Sequence, residues 1–92
     1  MPTKGTGQLQ TLGKYLACKL KHTNPFPFLP MKIEHWAGLP YVVDADINYA
    51  KDVLQDSQFN RKQLAKIIRY ARIFLQHQSL DCTCFIDLNI VL

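Results

Sequence analysis

The stretch QFNRKQLAKIIRYARIFLQH, residues 58–77, decides how the chain folds. Within it Leu64, Ile67, Ile68, Ala71, Phe74 and Leu75 recur three and four apart, the spacing of one apolar face of an α-helix. Asn60 is placed to cap that helix, with Gln63 at the reciprocal capping-box position and Phe59 able to staple onto Leu64. The pattern therefore predicts a helix from Asn60 to about Gln76–Gln78. Opposite the apolar face, Lys62, Lys66 and Arg69 stand at i, i+4 and i+7, with Arg61 and Arg72 to one side and Ile73 amid the polar face. No acid interrupts them. Like charges at these spacings cost an isolated helix a few tenths of a kcal/mol per pair, roughly. A polyanion offsets that repulsion, because closely spaced phosphates accept Lys and Arg and release their counterions.

The rest of the chain is segregated in the same way. Residues 1–32 carry Lys4, Lys14, Lys19, Lys21 and Lys32 with no acid, whereas residues 33–60 carry Glu34, Asp44, Asp46, Asp52 and Asp56 against Lys51 alone. The formal net charge of +4 is thus the remainder of two basic blocks, one acidic block and the two late acids Asp81 and Asp87. One reading is a surface whose acidic middle neutralises its own basic ends. The other is a field that steers a negatively charged partner.

The remaining periodicities predict a small α+β domain. Leu9, Leu12, Leu16 and Leu20 mark a helix over residues 8–22, with Gly13 weakening it slightly. Thr23–Pro30 (TNPFPFLP) is an extended connector. Met31–Trp36 and Tyr41–Val43 are predicted as short strands about a turn at Ala37–Pro40. Asp44 or Asp46 caps a helix to about Leu54. Ile86, Leu88, Ile90 and Leu92 alternate with polar residues as a further strand. The expected fold is a short antiparallel sheet of about three strands packed with about three helices. Residues 1–7 are expected as a flexible N-terminal arm and residues 8–92 as the single domain.

With 92 residues, 48% hydrophobic and 20% charged, the chain has the composition of one globular domain. No apolar run reaches the roughly 18 residues of a membrane span. Met1–Gln10 lacks a signal-peptide core. Three cysteines cannot all pair, which fits a reducing cytoplasm. The motifs of chemistry are weak. Cys82-x-Cys84 with His77 has only Cys18, His22 and His35 to complete a zinc set, and small buried cysteines explain it better. Asp44-x-Asp46 with Glu34 would suit magnesium-dependent nuclease chemistry, but helix capping explains both aspartates. No phosphate loop or nucleophile motif is present. The expectation is a non-enzyme without cofactor, metal, membrane or small-molecule substrate.

Two resemblances extend this. Leu16-Ala17, Pro25-Phe26 and Pro30-Met31-Lys32-Ile33, followed by Arg61-Lys62-Gln63-Leu64 through Arg69-Tyr70 and Ile86-Asp87-Leu88, resemble the ProQ/FinO family of RNA chaperones. That resemblance implies RNA contacts at Lys32 and Arg69. The stretch from Lys32 to Arg61 is longer than in that family, and Gln76-His77-Gln78 stand where it has aromatics. In length, charge asymmetry and lack of a catalytic motif the chain as a whole resembles the small phage-encoded anti-CRISPR proteins. It is nearest in character to inhibitors of type I-F surveillance complexes. This implies a ribonucleoprotein partner in the host cytoplasm, with basic helices on guide RNA or on the path of target DNA. The expected nucleic-acid surface is Lys14, Lys19, Lys21, Lys32, Arg61, Lys62, Lys66, Arg69 and Arg72. Trp36 and Ile73 are expected to meet protein. A helix-turn-helix made of residues 46–54 and 60–77 is the further alternative for DNA.

Overall fold

The computed structural model describes residues 6–23, 31–55, 58–77 and 79–83. Among them are four helices and no strand: α1 (Thr6–Thr23), α2 (Ile33–Ala37), α3 (Asp44–Leu54) and α4 (Arg61–Leu75). The expected α+β fold is therefore corrected to an all-helical one. The strand expected over residues 86–92 and most of the connector at 24–30 lie outside the described residues. Of the expected arm, Thr6 and Gly7 already belong to α1.

Both inner strand expectations fail for physical reasons. Ile33, Trp36 and Ala37 are spaced i, i+3 and i+4, so one helical turn brings to one side residues that an alternating strand would split between its two faces. Residues 41–43 alternate as a strand does, with Val42 half-buried between exposed Tyr41 and Val43. Their backbone groups are satisfied by side chains instead of a neighbouring strand. The Tyr41 carbonyl accepts from Arg72, and the Val43 N–H donates to Asp46.

α4 begins as its sequence predicts. Asn60 Oδ1 accepts from the Gln63 N–H and Gln63 Oε1 from the Asn60 N–H, both at 2.9 Å. α3 starts after Val43, and Asp46 caps it from within the first turn by accepting the Val43 N–H at 3.1 Å. Its C-terminus turns at Gln55, whose φ of 51° is left-handed.

The core lies between α1 and α4. Leu9, Leu16, Ala17 and Leu20 of α1 meet Leu64, Ile67, Ile68 and Ala71 of α4, closed off by Trp36, Ile47, Ala50 and Phe59. Gly13 sits at the closest approach of the two helices. A Cβ there would overlap the Cβ of Tyr70 and stand 3.0 Å from the Ile67 carbonyl oxygen. Close packing therefore compensates the lower helix propensity of glycine. A disulfide joins Cys18, fully buried in α1, to Cys82, 64 residues on. An odd cysteine count thus still leaves one pair free to bond. No helix of the described residues is long and apolar enough to cross a membrane.

Candidate nucleic-acid interface

The inner face of α4 is buried against α1, so the opposite face points away from the core. On it Lys62, Lys66 and Arg69 are exposed, and none of them forms an ion pair with a described residue. At 1.5 Å of rise per residue the three cations span about 10 Å of helix axis. Ile73, 53% exposed, continues the same line toward the C-terminus.

The two arginines beside this stripe have internal partners. Arg61 pairs with Asp44 at the start of α3, and both side chains are exposed. An exposed pair of this kind contributes at most about 1 kcal/mol, so Arg61 stays available to a stronger anion. Arg72 differs. It is 4% exposed, and its Nη2 lies 3.0 Å from Asp46 Oδ2, itself on a residue 8% exposed. Its Nη1 donates to the carbonyls of Leu39 and Tyr41, and its guanidinium stacks over the Trp36 ring at 4.5 Å. Trp36 Nε1 donates to the other Asp46 oxygen at 2.9 Å. Burial lowers the Arg72 pKa, while the charge of Asp46 and the hydrogen bond to it pull it back up. Arg72 is therefore a structural cation and not a phosphate contact. Trp36, 3% exposed, is a core residue and not a protein contact. Both expectations are corrected for the same reason: the acidic middle of the chain meets the basic helix inside the fold.

The α1 lysines are not joined to the α4 stripe. The stripe points away from α1, which packs on the far side of α4. Lys21 is exposed, whereas Lys14 and Lys19 are half-buried. Lys14 lines a pocket of about 150 Å³ with Phe74, His77, Ser79, Leu80 and Asp81. There the Asp81 carboxyl is held below its ordinary pKa, chiefly by hydrogen bonds from the Thr83 N–H and hydroxyl and slightly by Lys14. Lys32 is exposed just before α2.

The aspartates considered for magnesium are both engaged by arginines, Asp44 by Arg61 and Asp46 by Arg72. Cys18 and Cys82, considered for zinc, are bonded to each other. Among the described residues no group of three or more His, Cys, Asp or Glu is placed to hold a metal ion. Sequence reasoning missed the Trp36–Asp46–Arg72 cluster, whose members lie 10 and 26 residues apart. Its one local signal was the position of Arg72 off the stripe. No protein-family model, no curated protein and no solved structure matches the chain, so the functional reading rests on the residues themselves.

Proposed function

We propose that the protein is a non-catalytic binding module that holds the phosphate backbone of RNA, free or within a ribonucleoprotein, on the outer face of α4. The observation that carries this reading is the exposed line of Lys62, Lys66 and Arg69 on a helix with no acid of its own. Such a line is unfavourable for the isolated helix and favourable against phosphates. Arg61 joins it by exchanging Asp44 for a phosphate. Occupying the backbone of a guide or target strand in this way blocks access of other nucleic acid. Inhibition of a type I-F CRISPR surveillance complex is the specific form of the proposal, and a stand-alone RNA chaperone is the form in which the RNA is free. In either form the protein works in the cytoplasm beside its polyanion. The thiol poise of that compartment then sets the state of Cys18–Cys82.

The test is the salt dependence of binding to a structured RNA and to an assembled RNA–protein complex. Three phosphate contacts give a slope of log K against log[salt] of about −2 on single strands and about −3 on duplex. Affinity then falls about 20- to 40-fold between 50 and 200 mM salt, by the same relation. Tight binding to naked RNA selects the chaperone form, and binding that needs the assembled complex selects the inhibitor. Affinity independent of salt would remove the phosphate reading.

A further inference from the structure

Tyr41 is the most exposed of the large hydrophobic side chains of the described residues, at 55%. The segment that carries it is fastened along one flank of the α4 stripe at three heights. Gln76 Nε2 donates to the Ala37 carbonyl at 2.8 Å, Arg72 donates to the Leu39 and Tyr41 carbonyls, and Arg61 pairs with Asp44. At 100° per residue, Arg61, Arg72 and Gln76 fall on the same side of α4, next to the line of Lys62, Lys66, Arg69 and Ile73. Residues 37–44 therefore run beside the stripe, antiparallel to the helix. The Tyr41 backbone is held by Arg72, which lies one helical turn from Arg69 of the stripe. The loop is held from below by a buried guanidinium, and the Val43 N–H is taken by Asp46. An exposed ring on so anchored a backbone loses little conformational entropy when something packs on it.

From this arrangement we infer that Tyr41 is a stacking platform for an unpaired nucleobase of the strand whose phosphates lie on Lys62, Lys66 and Arg69. The preferred ligand is then single-stranded nucleic acid, because a base inside a duplex does not offer its face to a ring at the groove edge. The inference rests on the phosphate reading of α4 and adds to it a discriminator between single strand and duplex. Val43, 43% exposed, extends the apolar surface beside the ring. A tyrosine supplies such contact area with only two side-chain torsions to immobilise.

Three fluorescent probes of equal length test this: a single-stranded RNA 12-mer, an abasic 12-mer with the same phosphates, and a duplex 12-mer. The wild type is expected to bind the single strand tightest. Tyr41→Ala is expected to lose about 5- to 150-fold on the single strand, the range for one stacked base, with the abasic affinity unchanged. Tyr41→Phe keeps the ring and is expected to bind as the wild type does. The Tyr41 carbonyl that holds Arg72 survives both substitutions, and an unchanged melting temperature checks this. Salt-dependent binding of the abasic probe together with an unaltered Tyr41→Ala on the single strand overturns this inference alone. Where only the assembled RNA–protein complex binds, the Tyr41→Ala loss is read on that complex, and failure of the three probes and of the complex alike overturns the phosphate reading and this one with it.

Discussion

Replacing Arg72 by leucine removes a guanidinium that serves three acceptors at once. Asp46, 8% exposed, is left with only the Trp36 Nε1 and Val43 N–H donors, and the carbonyls of Leu39 and Tyr41 lose theirs. Breaking a buried pair by removing one partner costs about 3–5 kcal/mol, because the remaining charge is uncompensated. A domain of this length has a total stability of about 5–14 kcal/mol, so the single change consumes a large part of it. Asp46→Asn exposes the opposite fault, a buried cation without its counter-charge, and is expected in the same range. The double variant Arg72→Leu, Asp46→Asn removes both charges, so neither is left uncompensated. It leaves the carbonyls of Leu39 and Tyr41 and one of the two donors to Asp46 (Trp36 Nε1 or the Val43 N–H) without its partner. Its cost is therefore expected to be well below the sum of the single changes, with a coupling of at least about 1 kcal/mol. Urea denaturation of the wild type and three variants, at equal m, measures this cycle. A loss under about 1 kcal/mol for Arg72→Leu, with nucleic-acid binding abolished in the folded variant, would refute the reasoning. That pair of results is what an exposed phosphate contact gives.

Other perturbations have equally definite outcomes. Gly13→Ala puts a methyl group where α1 touches Tyr70 and Ile67, and is expected to destabilise by about 1–3 kcal/mol in a urea titration; an equal or higher midpoint contradicts the close approach. Cys82→Ser opens a loop of 64 residues' separation and is expected to lower stability by up to about 4 kcal/mol under non-reducing conditions. Intact-mass analysis that finds no cysteine pair oxidised would refute it. The Asp81 carboxyl is expected to titrate below 3.8 in an NMR pH series, because Thr83 donates to its ionised form. Since its folded pKa is depressed, its contribution is present above the unfolded value and is lost as pH falls through the folded one. Thr83→Val should raise the midpoint only part of the way, since the backbone N–H remains. A wild-type midpoint at or above 3.8 is the contrary result.

The contrast between α4 and residues 31–43 shows what a linear reading can reach. α4 follows from local information, as Asn60 and Gln63 cap it, its apolar face repeats over four turns, and Phe59 and Leu64 are both buried. α3 is legible for the same reason, although Asp46 caps it from inside the helix and Val43 occupies the capping position. Residues 33–37 form little more than one helical turn, too short for the i, i+3, i+4 spacing of Ile33, Trp36 and Ala37 to outweigh the alternation of Met31 and Ile33 with Lys32 and Glu34. At 41–43 the alternation was real, but a strand needs a partner, and the groups that bind this backbone sit on Arg72 and Asp46. The same side chains explain the errors in the interface. Arg69 and Arg72 are one turn apart and chemically alike; only the position of Asp46 and Trp36, far off in sequence, makes one a surface cation and the other a core residue. The charge blocks are partly neutralised inside the fold. Asp44 and Asp46 neutralise Arg61 and Arg72, and Lys62, Lys66 and Arg69 are left facing solvent.

The measurement that bears most directly on that division is RNA affinity of the triple variant Lys62→Glu, Lys66→Glu, Arg69→Glu at 0.1 M salt, with helicity and melting followed alongside. Each side chain is exposed, so the fold is expected to persist. Three lost phosphate contacts lower affinity by about 100-fold or more, from the same counterion relation. A folded triple variant that binds RNA as the wild type does would contradict the account.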